Sequence, residues 1–213
     1  MNIDYLDRAN KQFYSKNYEA ALENYDLAIH HCPSMPEAYY CRGLVKRIMG
    51  NHQAAIQDLS IATILSPKMV LAYYYRGIVY SEIGDYSYAI ANYNHAIFLE
   101  PNLANAYYHR AIIYGELGRI NLAIKDFQQA ATLAKKQSNK ELQKRAKKAL
   151  GLAKKLKNAN RHNRTLIGAF IFTLLTISLG MGIIQLKHWQ DNQRLDSTNS
   201  NSFKSFVDRQ FNR

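Results

Sequence analysis

Four arginines recur at intervals of 34 residues, and each is followed 16 positions later by an asparagine or an aspartate. The arginines are Arg8, Arg42, Arg76 and Arg110, and the later residues are Asn24, Asp58, Asn92 and Asp126. A partly buried guanidinium needs hydrogen-bond acceptors, which amides and carboxylates supply. The pattern therefore predicts that each arginine pairs within its own repeat. The alternative chemistry is the binding of an anion from solution.

The other chemically active residue types form no recognisable catalytic or metal-binding pattern. The sequence has no nucleophile elbow, no phosphate-binding glycine loop and no metal-ligand spacing. Its one cluster of metal-ligating types, His30, His31 and Cys32, lacks a second pair. We therefore expect no enzyme activity, no metal and no cofactor. The two cysteines, Cys32 and Cys41, are expected to be reduced thiols, because the sequence opens without an apolar secretory segment.

The same interval of 34 residues governs tyrosines and alanines, and a period of this length predicts a stacked-repeat architecture. Residues 70–103 are the clearest copy of the repeat. Tyr73 and Tyr80 belong to one run with helical spacing, Gly84 interrupts that run, and a second run ends before Pro101. Each repeat is therefore predicted to be two antiparallel helices joined by a short turn.

This pattern resembles that of the tetratricopeptide repeat (TPR) family. The family's order of aromatic, small, aromatic, Gly, Ala, aromatic, Ala and Pro is matched by Tyr73, Gly77, Tyr80, Gly84, Ala89, Tyr93, Ala96 and Pro101. Four such units cover residues 2–137, at 2–35, 36–69, 70–103 and 104–137. Lys16 stands where the family usually has glycine, and Lys46 stands where it usually has an aromatic residue. The resemblance implies an all-α superhelical solenoid of four helix-turn-helix repeats.

In the TPR family the first helix of each repeat lines a groove that binds a partner protein. The matching positions in this chain are Tyr40, Leu44, Arg47, Tyr74, Ile78, Glu82, Tyr108, Ile112 and Glu116. The resemblance implies that these residues hold an extended or helical protein segment; the alternative is that several of them pack between repeats. Leu6, Asn10 and Cys41 stand where some TPR domains carry a basic carboxylate clamp, so capture of a C-terminal carboxylate is not expected.

Residues 165–186 form a run of 22 residues without a charge. As a helix it would extend roughly 33 Å, enough for a hydrocarbon core of about 30 Å. The alternative, a buried soluble helix, would need protein on all sides. The sequence therefore predicts one transmembrane helix after the repeats, followed by a polar tail at 187–213.

The positive charge is concentrated just before this run, in residues 138–164. Ten basic residues stand there against one acid, a net of +9, whereas the tail has five against three, a net of +2. The positive-inside rule predicts cytoplasmic repeats and a tail on the opposite side. The segment begins with a capping-box pattern, Ser138 with Glu141, and is predicted to be a capping helix for the repeats. Its expected lipid contacts are Lys147, Lys148, Lys154, Lys155, Lys157, Arg161 and Arg164.

The Tyr-Tyr-x-Arg-Gly/Ala form of these repeats resembles TPR proteins that are frequent in bacteria, including those of photosynthetic membranes. The expected function is accordingly a membrane-anchored protein–protein interaction scaffold that assembles or stabilises a membrane complex. A tail-anchored adaptor at a lipid surface or in organelle fission is the alternative. Nucleic-acid binding is not expected despite the pI near 9.6, because the basic run adjoins the predicted span and has no interleaved aromatic residues.

Overall fold

The computed structural model describes residues 2–159, with the side chains of residues 5–158, and this part of the chain is entirely α-helical. Its helices are α1 (Asn2–Tyr14), α2 (Tyr18–His31), α3 (Pro36–Ile48), α4 (His52–Leu65), α5 (Val70–Glu82), α6 (Tyr86–Leu99), α7 (Ala104–Glu116), α8 (Ile120–Lys136) and α9 (Lys140–Ala159). The predicted membrane span at 165–186, the tail at 187–213, and Arg161 and Arg164 lie outside the described residues. None of the helices within residues 2–159 combines the length and the apolarity needed to cross a bilayer.

The predicted helix pairs are present in each of the four repeats. Unit 1, Met1–Pro101, contains the pairs α1–α2, α3–α4 and α5–α6; unit 2, Asn102–Arg213, contains α7–α8 and α9. We call the first helix of each pair its A helix and the second its B helix. Within unit 1 each helix packs on the next, and α3 also contacts the A helices α1 and α5. The three A helices of unit 1 therefore lie side by side.

Each turn between an A helix and its B helix contains one residue in the left-handed conformation. Gly50, Gly84 and Gly118 have φ values of 80°, 83° and 69°, and Lys16 adopts the same conformation at 61°. Asp85 N–H donates to Tyr80 C=O at 2.9 Å, and the other three turns repeat this bond. This is the six-to-one hydrogen bond of a Schellman turn, which favours glycine because a Cβ is disfavoured at positive φ.

Small residues allow the two helices of a repeat to approach closely. A Cβ built on Gly77 would lie 2.8 Å from Cε1 of Tyr93, and one built on Gly43 would lie 3.0 Å from Cγ of Leu59. Tyr93 and Leu59 are themselves fully buried. The glycine at this position of the A helix therefore makes room for a large side chain from the B helix.

Helix α9 packs on α8 and completes the core of unit 2. Leu142, Ala146, Ala149 and Ala153 are buried in this core, together with Phe127 from α8. Leu150 and Leu156 pack against the same cluster and are partly buried. The apolar residues of this helix thus form its packing face.

The predicted capping box at the start of this helix is wrong. Ser138 has a φ of 57° and occupies the left-handed position of the turn after α8, where Asn139 N–H donates to Ala134 C=O at 2.9 Å. The cap is Asn139, whose Oδ1 accepts a hydrogen bond from Leu142 N–H at 3.0 Å. A residue in the left-handed conformation cannot also supply the extended backbone of an N-cap. Glu141 pairs instead with Arg145, with 2.7 Å between Oε1 and Nε.

Candidate partner-binding site

The repeated arginines pair across the two helices of their own repeat, which confirms that prediction for repeats 2 to 4. In repeat 2, Arg42 Nε donates to Asp58 Oδ2 at 2.8 Å and Nη2 donates to Oδ1 at 2.7 Å. Lys46 Nζ reaches the same carboxylate at 2.8 Å, and Asp26 of the preceding repeat lies 2.5 Å from Arg42 Nη1. Lys46, which stands in place of the usual aromatic residue, thus supplies a second cation to the buried carboxylate of Asp58.

The pairs in repeats 3 and 4 differ in charge. Arg110 Nε donates to Asp126 Oδ2 at 2.7 Å, whereas Arg76 Nε donates to the neutral Asn92 Oδ1 at 2.7 Å. Burial lowers the pKa of Arg76, and the nearby Tyr80 and Tyr73 oppose this change. Each paired guanidinium also lies 5.4–5.5 Å from the ring centre of the tyrosine three residues earlier, namely Tyr39, Tyr73 or Tyr107. These arginines therefore connect the helices of the fold, and those contacts account for their recurrence.

The tyrosines predicted to line the groove are largely buried. Tyr40, Tyr74 and Tyr108 expose only 3%, 5% and 3% of their surface. Burial raises the pKa of Tyr74 well above its ordinary value, and Arg47 nearby opposes this rise. Such burial favours the packing alternative for these three rings. Their direct contact with a partner stays a prediction.

Tyr75 is a site residue that the sequence analysis missed. Its ring centre lies 5.1 Å from that of Tyr74 and 5.9 Å from that of Tyr40, so it joins the A helices of repeats 2 and 3. Unlike those two rings, it is only half-buried. Tyr75 directly follows the repeated tyrosine pair. The neighbouring repeats have Cys41 and His109 at this place, so the residue type varies outside the repeat pattern, and this variation is the signal that could have identified Tyr75.

Arg47 and Glu82, both predicted groove residues, form an ion pair between the A helices of repeats 2 and 3. Arg47 Nε lies 3.0 Å from both carboxylate oxygens of Glu82, and its Nη2 donates to Oε1 at 2.5 Å. The side chains are 23% and 34% exposed. Desolvation opposes the charge of Arg47, but the hydrogen bond and the charge of Glu82 outweigh it and raise the pKa of the guanidinium.

The apolar residues one turn along the A helices remain accessible in unit 1. Leu44 and Ile78 are both half-buried. With Tyr75, Arg47 and Glu82 they form what we call the A-face of unit 1. In this arrangement an apolar strip carries one bidentate ion pair at its edge.

The predicted groove positions of repeat 4 lie in unit 2 and have different surroundings. Ile112 and Tyr108 belong to the core that α9 completes, whereas Glu116 is half-buried. Burial raises the pKa of Tyr108 to about 12, and Arg145 and Glu141 from α9 lie close enough to influence it. The packing of α9 therefore accounts for the burial of these two apolar positions.

Asn10, one of the residues that stand where some TPR domains carry a basic clamp, is held within the fold. This side chain is buried, and its Oδ1 accepts a hydrogen bond from the Tyr25 hydroxyl at 2.7 Å. Cys41 beside Tyr25 is buried as well, and burial raises the pKa of its thiol. Among the described residues, no group of three His, Cys, Asp or Glu side chains is placed to hold a metal ion.

The predicted lipid-contact lysines of α9 are all exposed. They are Lys147, Lys148, Lys154, Lys155 and Lys157, and Lys140 and Lys144 are exposed as well. Glu141 is the only acid of this helix and it is paired with Arg145. Within α9, the exposed lysines therefore face only one carboxylate, and that carboxylate is paired with Arg145.

Comparison with known proteins identifies the repeats. A TPR repeat model matches residues 79–118, and a second tetratricopeptide repeat model matches residues 104–137. Residues 79–137 therefore consist of TPR repeats, which form a protein–protein interaction domain. A comparison with curated proteins gives no significant match.

Solved TPR structures share this fold. A crystal structure of MamA is 26% identical, with 65% of this chain and 81% of that chain covered and a TM-score of 0.62. MamA from Desulfovibrio magneticus RS-1, residues 41 to the end, is 19% identical over 84% and 96% of the two chains, with a TM-score of 0.65. The first TPR of Spaghetti (RPAP3), solved with the HSP90 peptide SRMEEVD, is 22% identical over 55% and 93%, with a TM-score of 0.54. The last two matches, both below 25% identity, show the fold alone.

Proposed function

We propose that the chain is a membrane-anchored scaffold whose A-face binds an extended or helical segment of a partner protein. The observation that carries this proposal is the accessible apolar strip of Leu44, Tyr75 and Ile78 beside the Arg47–Glu82 ion pair. Partly exposed aromatic and apolar side chains with a polar edge are typical of protein interfaces. TPR domains bind peptide partners, and the solved Spaghetti domain does so with an HSP90 peptide.

The membrane part of the proposal rests on the sequence. A run of 22 uncharged residues at 165–186 follows a segment with a net charge of +9 at 138–164. This order places the repeats and the basic helix α9 on the cytoplasmic side, with the tail at 187–213 across the bilayer. The lysines of α9 would then contact anionic headgroups, each contributing about 1 kcal/mol near the surface. Such a scaffold would assemble or stabilise a membrane protein complex.

Partner capture from solubilised membranes tests the A-face. The full chain in mild detergent is compared with a variant carrying Leu44→Glu and Ile78→Glu, and bound proteins are identified by mass spectrometry. A matched control carries Ile64→Glu and Phe98→Glu, which lie on B helices and are 74% and 79% exposed. We expect the A-face variant to lose the partner and the control to retain it. Loss in the control alone would move the binding site to the B helices and contradict the proposal.

Protease protection on sealed vesicles tests the membrane topology. The full chain is labelled at its two ends and exposed to protease from the cytoplasmic side. We expect the repeats to be digested and the tail to be protected. Digestion of both ends from the same side would contradict a single span.

A further inference from the structure

Gly151 occupies the centre of the solvent face of α9. A Cβ built on it would meet no atom within 4 Å, so no packing contact with the described residues requires glycine there. The buried face of the helix, with Ala146, Ala149 and Ala153, lies on the opposite side. Glycine inside an exposed helix costs about 1 kcal/mol relative to alanine. No contact of Gly151 with the described residues offsets this cost.

Two pairs of lysines flank this glycine, one turn on either side. Lys147 and Lys148 precede it by four and three residues, and Lys154 and Lys155 follow it by three and four. At a rise of 1.5 Å per residue, each of the four Cα atoms lies about 4.5–6 Å along the axis from that of Gly151. At about 100° per residue, all four lie within about 60° of it around the axis. The long lysine stems can therefore bring four ammonium groups over the bare backbone at Gly151.

Within the described residues, no ion pair joins these four lysines to a carboxylate. All four lysines are exposed, and Glu141, the only acid of the helix, lies ten residues before Gly151 and pairs with Arg145. Lys147 and Lys148 lie about two helical turns from Lys154 and Lys155, and ammonium groups that converge over Gly151 from both sides repel one another. A bound anion would relieve this repulsion.

We propose that Gly151 and the four lysines form a cradle for a phosphate monoester group. Such a group carries a charge of about −1.5 to −2 at neutral pH and offers three strong acceptor oxygens. Lysine binds phosphate as a flexible point charge, and the missing Cβ lets the phosphate approach the helix surface. The cradle deepens the proposed contact of α9 with anionic headgroups, because it selects a phosphomonoester over an anion of lower charge.

Calorimetric titration of the full chain in neutral detergent micelles tests the cradle. The probes are dihexanoyl phosphatidic acid, dihexanoyl phosphatidylserine and inorganic phosphate. We expect phosphatidic acid to bind about tenfold more tightly than phosphatidylserine. Equal affinity for inorganic phosphate and for phosphatidic acid would support the cradle and identify free phosphate as its ligand. Much weaker binding of inorganic phosphate than of phosphatidic acid would identify the lipid headgroup as its ligand. Equal binding of the two lipids would overturn the cradle but leave general contact with anionic lipid intact.

Two pairs of matched variants locate the site. Gly151→Leu fills the gap with a good helix former, and Asn158→Leu adds the same side chain one heptad further along the helix. The double change Lys148→Gln with Lys154→Gln removes two cradle charges, and Lys140→Gln with Lys144→Gln removes two charges outside it. We expect the first member of each pair to lose about tenfold in affinity for phosphatidic acid and the second to lose at most about twofold. Equal losses within each pair would overturn the proposal, and retained helical circular dichroism would show that α9 is still folded.

Discussion

Arg42 and Asp58 form a two-point ion pair across the helices of repeat 2, with Nε–Oδ2 and Nη2–Oδ1 distances of 2.8 and 2.7 Å. The Asp58 side chain is only 3% exposed, so its charge depends on Arg42 and Lys46 for compensation. Asp26 binds the same guanidinium from the preceding repeat but is 62% exposed. One arginine thus has a buried and an exposed partner of the same residue type.

This contrast predicts unequal effects of the same substitution. We expect Asp58→Asn to lower the free energy of unfolding by about 2–4 kcal/mol, because it leaves two cations facing a neutral amide in a buried site. Asp26→Asn should cost less than about 1 kcal/mol, since exposed pairs contribute little. Chemical denaturation of the full chain in detergent, followed by circular dichroism, measures both. Equal losses would show that burial does not control the strength of this pair.

Two helical glycines should respond in opposite ways to alanine. Gly77→Ala places a Cβ 2.8 Å from the buried ring of Tyr93, so we expect a net loss of roughly 1–2 kcal/mol. Gly151→Ala meets open space and should increase stability by about 1 kcal/mol. The same denaturation measurement compares them. If Gly77→Ala were also stabilising, the close approach of α5 and α6 at Tyr93 would be wrong.

The two non-glycine residues with positive φ offer a route to higher stability. Lys16→Gly and Ser138→Gly should each increase the free energy of unfolding by about 0.5–1 kcal/mol, because glycine adopts the left-handed conformation without a steric penalty. Gly84→Ala, at the equivalent turn of repeat 3, should lower it by a similar amount. Melting temperatures of the three variants test this prediction. Destabilisation by Lys16→Gly would contradict the turn described for repeat 1.

The sequence pattern predicts the helices and the arginine pairs because both follow from strict spacing. It does not predict the Arg47–Glu82 pair, since those residues come from different repeats and their distance depends on how the A helices pack. The pattern also predicts a cap at Ser138, because a serine side chain suits a cap, but the turn after α8 imposes a left-handed backbone there. Local patterns thus determine the repeats, the packing of the A helices determines the surface ion pair, and the turn after α8 determines the cap.

The two cysteines should differ in reactivity. Burial raises the pKa of the Cys41 thiol, so less reactive thiolate is present at about pH 8 than for an ordinary cysteine. Cys32 is half-buried at the end of α2 and has no such enclosure. We expect iodoacetamide to label Cys32 at least about tenfold faster than Cys41 in the native chain. Peptide mass spectrometry measures both sites, and labelling in guanidinium should remove the difference. Equal labelling of the native chain would contradict the burial of Cys41.

Site-specific photo-crosslinking in native membranes tests the central claim most directly. A photoreactive amino acid replaces Ile78 on the A-face in one full-length variant and Phe98 on α6 in another. Both variants are expressed at matched levels, irradiated and analysed for covalent adducts by mass spectrometry. We predict a single prominent protein adduct at position 78 and none of that protein at position 98. The same adduct at position 98 with none at position 78 would contradict partner binding by the A-face.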